Sequence, residues 1–156
     1  MPVRAATQDD CAAIARLNGI VQDIHAAALP DLFKPVPAGA CPSAAILEMM
    51  REDGAFMGLA EVDGTCAGYV YARIVRRPET AFRYAVVMVY VHHISVQPAF
   101  RGQGIGRELV AFVISRARRE NIRTVAADVW SFNHAAKSFF ERCGLSVFNE
   151  RMSAGV

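Results

Sequence analysis

No C-x-x-C pair occurs in this chain. Cys11, Cys41, Cys66 and Cys143 are scattered, which leaves little support for a zinc site or a disulfide framework. Free thiols, buried or half-buried, are the simpler reading, and no metal is expected. No apolar run is long and uninterrupted enough to span a bilayer. The opening residues, MPVRAATQDD, lack the apolar core of a signal peptide, so the expected compartment is the cytoplasm and no membrane partner is expected. The net charge of +2 is too small to make nucleic acid the main partner. Internal repeats are absent. What the chain does have is apolar content, 53% hydrophobic against 21% charged residues, which excludes disorder. At 156 residues it reads as one domain, 1–156, with enough chain for a sizeable core.

The most informative stretch runs from Val89 to Val113, VYVHHISVQPAFRGQGIGRELVAFV. Tyr90, Val91, Ile94 and Val96 have the β-branched and aromatic character of a strand, and Pro98 stops it. Gly102, Gly104 and Gly106 then alternate with Gln103 and Ile105, a turn in which a ligand can approach the backbone closely. From Ile105 onward Leu109, Phe112, Val113 and Arg116 follow helical spacing. A helix opens with unpaired N–H groups and a partial positive charge, and Arg101 and Arg107 add formal charge at the same place. Phosphate or pyrophosphate is the natural guest. The alternative, that the glycines only make a tight turn, is the weaker reading of three alternating glycines flanked by arginines.

Two familiar phosphate loops do not fit. A P-loop ends in Gly-Lys-Ser/Thr, and this loop has no lysine. A dinucleotide fingerprint is G-x-G-x-x-G, whereas the spacing here is one residue shorter and follows a run of strands rather than βαβ units.

Along the chain, Pro2 to Ala6 reads as a short strand, and Thr7-Gln8-Asp9-Asp10 as a capping box. Ile14, Leu17, Val21 and Ile24 continue at helical spacing to about Ala28. The segment Pro30 to Pro42, with Pro35, Pro37 and Gly39 inside it, is an irregular connection, read equally well as a binding lid or a plain packed loop. Ser43 begins a second helix. Ala55–Val62 and Thr65–Val75 are strands joined at Asp63-Gly64, a two-residue hairpin signal. A turn at Arg76-Arg77-Pro78-Glu79 leads into a strand-like run from Phe82 to Val96 that a bulge could interrupt. After the glycine loop and its helix, Thr124–Trp130 is a strand parallel to its neighbour. Asn133 starts a helix that Gly144 ends, and Leu145–Met152 closes as a final strand. The expected class is α/β in the α+β sense, a mixed and mostly antiparallel sheet flanked by helices, in the order βααβββαβαβ.

Arg101-Gly102-Gln103-Gly104-Ile105-Gly106 matches the R/Q-x-x-G-x-G/A signature of the GNAT superfamily of acyl-CoA-dependent N-acetyltransferases, and Ile94-Ser95-Val96-Gln97-Pro98 looks like that family's fourth strand. The segment from Asn133 to Leu145 is similar to its N-x-x-A-x-x-F-Y-x-x-x-G-F segment, and the element order matches over essentially the whole chain. The resemblance implies acetyl-CoA as co-substrate and an amine as acceptor. It places the pyrophosphate on the amides of Gln103, Gly104, Ile105, Gly106 and Arg107, beside Arg101 and Gly102. Ile94 and Val96 would line the pantetheine arm, with Asn133, Ala136, Phe139 and Phe140 beside it. A homodimer is also consistent with it.

Acyl transfer to an amine needs a base for the amine, a donor for the developing oxyanion and, for the thiolate, an acid. By resemblance, a backbone N–H near Val96 is the oxyanion donor. The family's usual acid is a tyrosine at the position of Phe140, which has no proton to give; Tyr90 or a water could substitute. For the base, His92 aligns with the family's glutamate, and histidine suits the task. Strand alternation allows one of His92 and His93 into a given cleft, and a bulge would change which. That both rings are structural stays open. Glu61 and Asp63 read first as a solvated hairpin end. Trp130 and Phe132 line an acceptor pocket or pack the core, and Arg116, Arg118, Arg119 and Arg123 form a solvated helix face. The expected function is acetyl transfer to a primary amine, small molecule rather than protein, by direct attack in a ternary complex. The alternative is a non-catalytic acyl-CoA-binding regulatory module.

Overall fold

A computed structural model describes residues 3–36 and 43–155. Strand β1 (Val3–Ala5) leads through a 3-10 turn (Gln8–Asp10) into helix α1 (Cys11–Ala28); helix α2 (Ser43–Arg51) and strands β2 (Ala55–Val62), β3 (Thr65–Arg77) and β4 (Val86–Val96) follow. A second 3-10 turn (Pro98–Phe100) precedes helix α3 (Ile105–Arg119), strand β5 (Val125–Ala127) and helix α4 (His134–Arg142). The five strands lie in sequence order, antiparallel from β1 to β4, with β5 parallel to β4. Asp63 and Gly64 both take positive φ, 48° and 75°, as the two-residue hairpin between β2 and β3 requires.

One face of the sheet carries Met57, Leu59, Tyr69 and Tyr71 against Ile14, Leu17 and Ile46 of α1 and α2. On the other, Val70, Ala72, Val89 and Val91 pack against Leu109, Val110 and Val113 of α3 and Phe140 of α4. The expected capping box is present, with Thr7 as N-cap, and it caps the 3-10 turn that leads into α1 rather than α1 itself. The Asp10 carboxylate accepts the Thr7 N–H at 2.7 Å and the Thr7 hydroxyl at 3.2 Å, and Arg4 reaches it with two bonds of 2.8 Å. Arg4, whose bonds to it are the first cause, holds the Asp10 carboxyl down at about 2.

Three expectations change. The final strand Leu145–Met152 does not form, so the observed order is βααβββαβα. Among the described residues no backbone bond pairs 146–155 with the sheet, and Val147, Phe148 and Met152 are exposed; an extended segment becomes a strand only where an edge receives it. The run from Phe82 becomes a strand only at Val86, which pairs with Arg77, the last residue of β3. Phe82 and Tyr84, which lie in and after a turn closed by the Thr80–Arg83 bridge and belong to no strand, are exposed. Strand β5 stops at Ala127 rather than Trp130, because β4 leaves it after the pair Val91–Ala127. In the proline-rich connection, Leu32 and Phe33 donate to Leu29 O, and Gln22 Nε2 donates to Lys34 O at 2.7 Å. Pro37, Gly39, Cys41 and Pro42 lie outside the described residues, as does Pro2.

Candidate active site

The anion-binding half is built as its sequence implies. Arg101 is extended, Gly102 and Gly104 take φ of 79° and 84°, and Gly104 is the N-cap of α3. Positive φ at both positions is why glycine stands there, since a Cβ on either would meet nothing within 4 Å. The first bond of α3 runs from Glu108 N–H to Gly104 O, at 3.1 Å. Among the described residues, the N–H groups of Gly102, Gln103, Gly104, Ile105, Gly106 and Arg107 have no acceptor. Gly106 is glycine for a different reason: a Cβ would lie 2.8 Å from the Phe139 ring of α4. An open turn of unpaired amides at a helix N-terminus, flanked by Arg101 and Arg107, fits a pyrophosphate. The Arg101 guanidinium also donates to Val96 O at 3.2 Å, tying the loop to the end of β4.

Strand β4 separates from β5 after Val91, and the residues His92–Val96 have a strand partner only in β3. At that separation sits a bulge. Tyr71 of β3 pairs with His93 and Ala72 with Val91, which leaves His92 as the extra residue. The bulge overturns the expectation that one histidine at most could enter a given cleft. Both rings lie on Tyr71, His92 stacked at 5.1 Å and His93 edge-on at 5.6 Å. Both line a cleft of about 70 Å³ with Ile94, Asn133, Ala136 and Phe140. Of the predicted residues, these come together at the cleft, while Val96, Phe139 and the 101–107 loop are not part of its lining. A larger depression of about 310 Å³, lined by Ala5–Gln8, Met50 and Ala55–Met57, lies at the β1–β2 end of the sheet and holds no ionisable side chain.

The two histidines differ in setting. His93 is the more buried, and burial, followed by the nearby His92 and His25, pushes it down to about 4. The Asn18 amide lies 2.8 Å from Tyr69 OH and 3.1 Å from His93 Nδ1. With that amide donating, Nδ1 accepts and the proton of the neutral ring sits on Nε2. His92 is more open, beside Tyr90 at 4.8 Å, and its pKa is lowered by burial and then by Arg73. Neutral at ordinary pH, its ring can accept a proton.

Phe140 is buried, 7% exposed, so no hydroxyl stands at that point of the cleft. Tyr90 makes a poor acid, because burial and then the Asp128 carboxylate beside it raise its pKa well above the usual range. Asn133 spends its side-chain oxygen on the Ala136 N–H, at 3.0 Å, as the N-cap of α4. Glu61 is held by Arg4 at 2.9 Å, away from the cleft. Arg116 pairs with Glu120 at 2.9 Å and lies over the Phe56 ring of β2, half-buried rather than on the solvated face expected of it. Burial raises the Cys143 thiol, which argues against a thiolate nucleophile. Sequence reasoning missed Asn18, His25, Tyr71 and Asp128, which carry no motif and reach the cleft only through the packing of α1 and the sheet.

A family model described as the acetyltransferase (GNAT) family matches residues 21–145. The chain belongs to the GNAT acetyltransferase family. It is 29% identical over its whole length, and 86% of the relative's, to the L-methionine sulfoximine/L-methionine sulfone acetyltransferase of Salmonella typhimurium. Its fold is similar to that of a tetramutant of the BH1408 protein of Bacillus halodurans, with a TM-score of 0.92 and 22% identity over the whole of both chains. The aminoglycoside N-acetyltransferase AAC(6')-Iy in complex with CoA shares the fold at a TM-score of 0.74 and 17% identity, over 99% of this chain and 98% of that one. This GNAT chain is therefore an N-acetyltransferase with acetyl-CoA as its acyl donor. Among the described residues, no helix of this GNAT protein is long and apolar enough to cross a membrane.

Proposed function

We propose that the protein transfers the acetyl group to the primary amine of a small molecule, by direct attack with both substrates bound. The observation that carries this reading is the bulge at His92: where β4 leaves β5, it turns a neutral imidazole into the cleft that also holds Ile94, Asn133 and Phe140. When bound, acetyl-CoA supplies an activated acetyl carbonyl and a thiolate leaving group. The amides of 102–107, with Arg101 and Arg107, hold the pyrophosphate. The edge of His92–Val96 turned away from β3 takes the pantetheine arm, and an N–H near Val96 donates to the developing oxyanion. His92 accepts the amine proton. His93, its proton on Nε2, is a neutral donor rather than a second base. Water reaching the half-open cleft protonates the thiolate in place of a side chain at Phe140.

The cleft of about 70 Å³ supports a small acceptor group. Two acceptor types suggest themselves: an amino-acid derivative such as the Salmonella relative's name gives, and an aminoglycoside as in the AAC(6')-Iy name. The complex of AAC(6')-Iy with the bisubstrate analogue CoA-S-monomethyl-acetylneamine supports one site for both substrates. A homodimer belongs to this reading, supported by the exposed apolar residues Phe82, Tyr84, Phe148 and Met152. So does the cytoplasm, supported by the free thiols of Cys11, Cys66 and Cys143. Initial-rate kinetics with both substrates varied, together with mass detection of the acetylated amine, tests the mechanism. Intersecting lines are expected; parallel lines, the mark of an acetyl-enzyme, would rule out direct attack.

A further inference from the structure

Three separate segments bring aromatic rings to one end of the cleft. His25 comes from the last turn of α1, Phe33 from the connection after it, and Trp130 and Phe132 from the connection between β5 and α4. His25 stacks on Phe33 with centroids 5.0 Å apart and meets Phe132 edge-on at 5.8 Å, while Phe33 meets Trp130 edge-on at 5.2 Å. His25 and Trp130 line the same cleft as His92 and His93. These rings are not core: Trp130 is 41% exposed, and Phe33 and Phe132 are half-buried. Among the described residues, the only carboxylate lining the cleft is Asp128, already beside the Tyr90 hydroxyl, and no lysine or arginine lines it.

We infer that His25, Phe33, Trp130 and Phe132 form an aromatic clasp that selects the acceptor, favouring a single amine beside an uncharged apolar or planar flank over a polycation. This rests on the amine-acetylating reading above and names its substrate class. Stacked and edge-on rings offer apolar area and π-faces to such a flank, with little entropy to lose. A polycationic acceptor needs several carboxylates to replace its water, and a wall with one engaged acid cannot supply them. Burial lowers the His25 pKa, so the clasp adds no positive charge at neutral pH. Of the two acceptor types above, this lining therefore disfavours the aminoglycoside.

Trp130 is the chain's only tryptophan, so its emission reports the clasp alone. The experiment compares 2-phenylethylamine with neamine in wild type, Phe33→Ala, Trp130→Ala and Trp130→Phe, with CoA affinity as the check that each variant is folded. The expected result is higher kcat/KM for 2-phenylethylamine, lowered about tenfold through KM in both alanine variants, with the KM for acetyl-CoA unchanged and Trp130→Phe largely restored. In wild type bound to CoA, 2-phenylethylamine should shift Trp130 emission saturably. A preference for neamine, or alanine variants that keep wild-type KM for 2-phenylethylamine, would overturn the clasp. If no amine releases thiol from acetyl-CoA, the underlying reading fails, and the emission titration still decides: a saturable shift supports the clasp and a flat trace refutes it.

Discussion

At the scale of single residues, His92 and His93 separate by environment rather than by identity. Replacing His92 with alanine should lower kcat by roughly a hundredfold or more and leave acetyl-CoA affinity intact, as removal of a general base does. Unchanged turnover in that variant would exclude His92 as the base. His93 carries a different consequence. Its pKa is about 4 when folded, so below about 6.5 the unfolded chain takes up a proton that the folded chain refuses. Stability should therefore be flat above that value and fall as the pH drops through the window, by at most about 3 kcal/mol. Urea unfolding near neutral pH and in mild acid, for wild type and His93→Gln, checks this: the variant should lose that part of the acid sensitivity. The histidines were legible in the sequence, but their shared face was not. Strand alternation predicts opposite faces for neighbours, and a bulge depends on the pairing of two distant strands, which no local pattern specifies.

At the scale of elements, the loop and α3 were the most legible part, because their demands are local. Positive φ at Gly102 and Gly104 and unpaired helix amides follow from spacing alone. Gly106 was legible as glycine but not for its reason, the approach of Phe139 from another helix. Gly106→Ala should push that ring away, cost about 1–3 kcal/mol of stability and weaken acetyl-CoA binding more than it lowers kcat, as isothermal titration and steady-state rates would show. The Asp10 cap was legible, whereas Arg4 opposite it was not. Asp10→Ala should cost about 2 kcal/mol, since it removes the acceptor for the Thr7 N–H and for the Arg4 fork, measurable by thermal unfolding. The contribution of Asp10 is present above its ordinary value of 3.8 and is lost as the pH falls through about 2.

At the scale of the molecule, a five-stranded sheet between two helical layers carries the bulge near the end of β4, and the amide loop follows that end directly, tied to it through Arg101 and Val96. The element order up to α4 was readable because each element carries its own periodicity. The last segment was not, since alternating apolar residues form a strand only when an edge accepts them. Phe148, 95% exposed, and Met152, 89% exposed, are the apolar surface on which the proposed homodimer would pair. Sedimentation should show a dimer that truncation before Val147 converts to a monomer.

In the reading proposed above, these residues transfer acetyl from acetyl-CoA to a small amine. Free-thiol release from acetyl-CoA, measured across a panel of small amines and short peptides with a no-acceptor control, addresses it directly. Release should depend on a small primary amine and stay at the control rate with peptides. Release with peptides alone, or silence across the panel while acetyl-CoA binds, would contradict it, and silence would point to an acyl-CoA-binding regulatory module instead.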